Sequence, residues 1–289
     1  MGYQLVFSDE FNGYSIDRSK WSFTDYMSGY SDMPTLTSSD VAAVIPDPDN
    51  KSNGILRLTA SKVGNGQYKT TKSITTGKTM TFVYGYLEMR AKVPTGKGVW
   101  PSLWLKSNTT AGGEQLAKSL GYNSNSVYET EVDVFEVFGN NVAVPNNVAV
   151  PNMHKWWKTP EQIAAYGDVR VQASNNKSYD ISDGGWHTYG MLWTPHEISM
   201  FIDSNRYMTY DLNDNICNSK NADVGMQEFH NPLCIIINNH LFTPGYTSSG
   251  GGSWASNATV TDDFTSAIYD IDYIRLYQKP DVSKIFFAE

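Results

Sequence analysis

The chain of 289 residues contains only two cysteines, Cys217 and Cys234. A disulfide framework therefore cannot hold it together, and the separation of the pair permits one bridge without demanding it. No apolar run approaches the about 20 residues of a membrane-spanning helix, so no such span is expected. Basic residues are scarce: 22 Lys and Arg stand against 30 Asp and Glu, a formal charge of −8. Without a basic stripe, nucleic acid is excluded as a partner and a heavily sulfated polyanion is disfavoured, although local Lys could override that. Long amphipathic helical patterns are almost missing, so strands must build the core.

What the sequence has in quantity is aromatic side chains, with 8 Trp, 18 Tyr and 12 Phe, and 23 Gly for turns. Short β-type segments recur between turn residues: 55–61, 83–93, 100–106, 128–138, 188–193, 197–202, 233–238 and 267–278. Alternation such as Leu56 and Leu58 predicts an all-β sandwich of two antiparallel sheets. Two brief helices are expected at 112–120 and at 160–165, the latter capped by Thr159. Two long loops, 139–158 and 240–261, are long enough to shape a cleft.

The densest signal is Glu131-Val132-Asp133-Val134-Phe135-Glu136, three acids inside an otherwise apolar strand, where acids are rare without a chemical reason. Glu131 and Asp133 share a face, and Glu136, five residues on, falls on the other. One β-bulge at Val134-Phe135 would bring all three together. Such an array suits retaining glycoside hydrolysis, which needs a nucleophilic carboxylate and an acid/base roughly 5 Å apart. Crowded like charges also push pKa values apart, leaving one acid protonated beside one ionised. The bland reading is a solvent-facing edge strand, which the packed valines and phenylalanines argue against.

Around this strand, Tyr84-Gly85-Tyr86-Leu87-Glu88-Met89-Arg90-Ala91-Lys92-Val93-Pro94, Gly98-Val99-Trp100-Pro101-Ser102-Leu103-Trp104-Leu105, Phe7-Ser8-Asp9-Glu10-Phe11-Asn12-Gly13 with Trp21, Trp186 to Thr194 and Ile271 to Tyr277 closely resemble the family 16 glycoside hydrolases. The resemblance runs in the family's order and implies a β-jelly-roll with a concave substrate cleft, residues 1–280 as one catalytic domain and 281–289 as a tail or linker. By position it implies Glu131 as nucleophile, Glu136 as acid/base and Asp133 as the residue that tunes the nucleophile. The five-residue spacing is that of the bulged members, similar to laminarinases, agarases, porphyranases and carrageenases.

The same resemblance puts Trp100, Trp104, Arg90, His154, Trp156, Trp157 and His240 in or beside the cleft. Sandwich core is the competing reading for the tryptophans, and an ion pair with Glu88 or another acid is the one for Arg90. The Asn238-Asn239-His240 sequence departs from ordinary laminarinases. A structural calcium on the convex face is implied through Glu10, Asp272 and the carbonyl of Gly54, with no cofactor needed for catalysis. The expected substrate is a β-1,3- or mixed β-1,3/1,4-glucan. An algal galactan is the alternative, with Lys155 and Lys158 placed to meet sulfates, and a noncatalytic lectin is a distant third reading. A monomer is expected. Export or cell-surface display is expected from the substrate class, because the N-terminus lacks signal-peptide regions and Met1-Gly2 reads as a start after a removed leader.

Overall fold

The computed structural model describes residues 2–26, 35–64, 66–107, 128–137, 147–157, 169–171, 178–212, 217–218, 227–244 and 259–287. In chain order the strands are β1 (Gln4–Asp9), β2 (Ser22–Thr24), β3 (Thr35–Leu36), β4 (Ala42–Pro46), β5 (Gly54–Val63), β6 (Gln67–Thr71), β7 (Ser73–Thr75), β8 (Met80–Val83), β9 (Gly85–Lys92), β10 (Val99–Ser107) and β11 (Tyr128–Glu136). They continue with β12 (Val148–Trp157), β13 (Val169–Val171), β14 (Tyr179–Asp180), β15 (His187–Trp193), β16 (Glu197–Ile202), β17 (Asn205–Asp211), β18 (Cys217–Asn218), β19 (Leu233–Leu241), β20 (Ser266–Gln278) and β21 (Lys284–Phe287).

Two sheets face each other in a jelly-roll sandwich. The outer one is ordered β17, β16, β15, β9, β20, β5, β6, β3, with β1 on β20 and β4 on β5. The inner one is ordered β18, β13, β12, β11, β10, β19, β7, β2, with β14 on β12, and β8 joining β21 to β19. Among the described residues β3 and β6 are parallel, whereas the neighbours around the acidic strand are antiparallel.

Period-two burial decides which side of each sheet faces in. Along β9, Gly85, Leu87, Met89 and Ala91 are buried while Tyr86, Glu88, Arg90 and Lys92 are half-buried on the opposite face. Leu87, Met89 and Met191 meet Leu103, Leu105, Val132, Phe135 and Ile237 of the inner sheet in one cluster. Phe135 lies against Tyr189, with ring centroids 4.3 Å apart, and edge-on to Tyr269 at 6.4 Å. Polar ties also cross this interior: the Asn239 amide donates to the carbonyls of Leu58 at 3.1 Å and Ala267 at 2.9 Å, on two strands of the outer sheet, and the Tyr207 hydroxyl donates to the Val134 carbonyl at 3.2 Å.

Several expectations change. The segment 83–93 is two strands, broken where Tyr84 (φ 58°) and Gly85 (φ 138°) turn the chain. Tyr84 is held there by His230 Nδ1, 2.9 Å from its hydroxyl, and by the edge of Trp193. The first cleft loop contains β12, which pairs with β11, and the second begins with the last residues of β19. Lys284–Phe287 is a strand paired with β8 rather than a tail. Cys234 is a free, buried thiol, so the bridge to Cys217 is not formed. The helices expected at 112–120 and 160–165 lie outside the described residues.

His187 is clamped on the outer sheet between Asp203, 2.6 Å from Nδ1, and Asp183, 2.8 Å from Nε2. Burial lowers its pKa, but the bonds and charges of the two aspartates outweigh it and leave the pKa raised above 6.5. A raised folded pKa gives stability that is complete below about 6.5 and is lost as pH rises through the folded value. The melting temperature should accordingly decline with rising pH in that window, and calorimetry of His187→Gln should show the decline flattened. Removing the Phe135 ring should cost about 3–5 kcal/mol in urea unfolding, since both sheets close on it.

Candidate active site

The acidic strand β11 lies inside the inner sheet, between β10 and β12. Its register on β10 pairs Trp104 with Asp133 and Leu103 with Phe135, so Val134 is an extra residue without a partner. On β12 the same shift separates the pairs Asp133 with Asn152 and Glu136 with Val150. Here is the expected bulge. Val134 and Phe135 both turn into the core, and Glu131, Asp133 and Glu136 emerge together opposite Lys106, Trp104 and Ser102.

Glu136 is held at both oxygens. Trp100 Nε1 donates to Oε1 at 2.9 Å and Asn152 Nδ2 donates to Oε2 at 3.2 Å. Its pKa is raised to about 7, first because burial penalises the charged form and further because of the Glu131 charge; the Trp100 bond, His154 and the Asn152 bond oppose the rise. Crowding by acids was the cause expected from the sequence; desolvation proves the larger one. Such a carboxyl is protonated for part of its time near neutrality, as a general acid must be.

Glu131, Asp133 and His154 bring one polar atom each to within 4.8 Å of one another, and His154 Nε2 lies 3.7 Å from Asp133 Oδ2. His154 sits on β12 directly across from Glu131, on a strand rather than the loop expected. These donor types also occur in transition-metal sites.

Trp100 and Trp104 fall outside the main core, on the face that carries the acids. Trp100 stacks on Phe242 at 4.6 Å, and Trp104 donates from Nε1 to Asn238 Oδ1 at 2.7 Å and meets Tyr26 edge-on. His240 pairs with Trp100 across β10 and β19 and is buried beside it. Trp156 and Trp157 extend β12 in backbone, and their side chains lie outside the described residues, as do those of Lys155 and Lys158.

Arg90 is not in the cleft. It lies on the outer sheet with its side chain away from the core, bonded to Asp272 at 2.6 Å and stacked over Trp186. The ion-pair alternative is the arrangement found, with Asp272 in place of Glu88.

Two of the three groups implied for calcium, the Glu10 and Asp272 carboxylates, are engaged elsewhere. Glu10 takes both oxygens to Arg275, at 2.6 and 2.9 Å, while Asp272 binds Arg90 and the Asn53 amide, each at 2.6 Å. A calcium ion asks for six to eight oxygen ligands, and two carboxylates neutralised by guanidinium groups do not fit that demand as arranged. Gly54 has a simpler reason to be glycine: a Cβ there would lie 2.1 Å from the Phe11 carbonyl oxygen.

Sequence reasoning missed Asn152. Its signal was available in Val150, Asn152 and His154, alternating positions of a strand read as a loop.

The family model for glycosyl hydrolases family 16 matches residues 42–227. A β-glucanase of Rhodothermus marinus is 24% identical over 96% of this chain and 85% of its own length. A keratan-sulfate endo-1,4-β-galactosidase of Sphingobacterium multivorum is 26% identical over 96% of this chain, which spans only 56% of it. A laminarinase structure from Flavobacterium sp. superposes with a TM-score of 0.63 at 26% identity, covering 95% of this chain and all of the other. The matched segment contains the bulged acidic strand and both strands that flank it, and the chain belongs to glycosyl hydrolases family 16.

Proposed function

We propose that the protein is a retaining endo-glycosidase of β-1,3- or mixed β-1,3/1,4-glucans. The observation that carries this reading is Glu136, half-buried and held at both oxygens by neutral donors on the face it shares with Glu131 and Asp133. In the first step the protonated Glu136 gives its proton to the glycosidic oxygen as that bond breaks. The Glu131 carboxylate attacks the anomeric carbon to form a glycosyl ester. Glu136, now ionised, then takes a proton from water, whose oxygen displaces Glu131 and restores the original configuration. Asp133, between the two and close to His154, orients the nucleophile. Trp100 and Trp104 offer indole surface to sugar faces.

The glucan assignment is supported by the R. marinus relative and the Flavobacterium laminarinase, together with a cleft built of aromatic and amide side chains. A β-galactan is the second reading, favoured by the S. multivorum relative. A noncatalytic lectin would not need an acid held at a pKa of about 7. Polymers of this kind are met outside the cell, so a secreted or surface-displayed protein acting as a monomer is the setting proposed.

Incubation with laminarin, barley mixed-linkage glucan, agarose, porphyran and carrageenan should release oligosaccharides from the glucans, with the β-anomer appearing first by NMR. Release from a galactan alone would overturn the substrate and leave the chemistry standing. Glu131→Gln should lower kcat by on the order of 10⁴-fold while oligosaccharide binding persists; substantial turnover in a clean preparation would remove Glu131 as nucleophile.

The rate should also fall as pH rises through about 7, where Glu136 loses its proton. Asn152→Leu takes away a bond that favours the ionised form, so that basic limb should move up by about one pH unit. A limb that stays in place would mean that another group titrates.

A further inference from the structure

Two clusters set a histidine among carboxylates, and their spacings differ. On the outer sheet His187 meets Asp203 at 2.6 Å and Asp183 at 2.8 Å, so both ring nitrogens are spent on hydrogen bonds that leave no room for an ion. On the inner sheet His154 Nε2 lies 3.7 Å from Asp133 Oδ2, longer than a hydrogen bond. A Glu131 oxygen completes this second set, in which all three donor atoms lie within 4.8 Å of one another. Zinc sits about 2.0–2.1 Å from an imidazole nitrogen and about 2.0–2.2 Å from a carboxylate oxygen, which puts two tetrahedral ligands about 3.4 Å apart. The separation of His154 from Asp133 is close to that of two ligands on one ion, and the third donor has little distance to close.

We propose that Glu131, Asp133 and His154 form a binding site for one divalent transition-metal ion, zinc or copper, which blocks the cleft reversibly. Strand pairing gathers the ligands: Glu131 lies directly across from His154 on β12, and Asp133 follows on the same face of β11. The imidazole selects the class of ion. Calcium and magnesium favour sets made of oxygen alone, whereas imidazole beside carboxylate suits zinc and copper. Two carboxylates also offset the charge of a divalent cation. Glu136 stays outside the set, because Trp100 and Asn152 hold its oxygens.

Asp133 and His154 are buried and Glu131 is half-buried, so an ion arrives on the side of Glu131 and meets the deeper donors after it. Three protein ligands leave zinc a fourth position for water. The ion engages the carboxylate that attacks the anomeric carbon, so ion and substrate exclude each other. This block rests on the reading of Glu131 as nucleophile, while the binding itself does not. Coordination forms and breaks without electron transfer, so a chelator restores the enzyme.

Calorimetric titration of the tag-free protein with zinc chloride should show one saturable site, and magnesium or calcium chloride should show none. Zinc affinity should fall at least about tenfold in His154→Gln and in Asp133→Asn, the second variant serving if the first fails to fold. With copper(II), the electron paramagnetic resonance spectrum should carry coupling to one imidazole nitrogen, and His154→Gln should lose it. On whichever polysaccharide the wild type hydrolyses, zinc should raise the apparent KM with kcat unchanged, and EDTA should reverse the effect. No saturable zinc binding, undiminished binding in the folded variants, or inhibition that lowers kcat alone would overturn the site. A wild type inactive on every glycan would reject the glycosidase reading alone, since the calorimetry and the copper spectrum decide the site without substrate.

Discussion

One residue too many in β11 sets the geometry of the active face. With Val134 unpaired, two successive side chains, Val134 and Phe135, enter the core, and the carboxylate that follows returns to the side it would otherwise have left. Phe135 then wedges between Tyr189 and Tyr269 of the outer sheet, so the position of Glu136 is tied to the packing of the sandwich. Its hydrogen-bond donors arrive from both neighbouring strands, Trp100 on β10 and Asn152 on β12. Register, core and acid/base are consequences of a single shift.

Carboxylates on the two sheets live under different electrostatics. On the outer sheet Asp270, Asp272 and Glu10 are matched to Arg57, Arg90 and Arg275 in close ion pairs. On the inner sheet Glu136 meets the neutral donors of an indole and an amide, which satisfy its oxygens without supplying a counter-charge. Burial then decides its proton affinity. The contrast lies in partner chemistry more than in depth: Asp270, almost as enclosed as Asp133, sits against a guanidinium in two-point contact.

The sequence made the acidic strand legible because its oddity is local: three acids, a two-residue period and a mismatch that one bulge resolves. Arg90 was harder, since alternation along β9 says that it faces away from the core but not which of two sheets owns the strand. Proximity to the cleft motif in sequence suggested the wrong one. β12 was hidden by Pro151 and by the asparagines before it, which carry turn signals although the segment pairs over most of its length. The strand at Lys284–Phe287 was hidden by distance, since its partner β8 lies some 200 residues earlier in the chain. His240 was placed by resemblance, and its position against Trp100 became visible only in the register of β19 on β10.

The bulge has an arithmetic of its own. Removing Val134 would leave the three acids at every second position of a regular strand, again on one face, with Phe135 alone turned inward. Gain or loss of a single codon here thus connects two strand geometries that both keep the carboxylates together. The spacing of the acids is open to inheritance as a variable trait, while their convergence on one surface is the part that selection has to preserve.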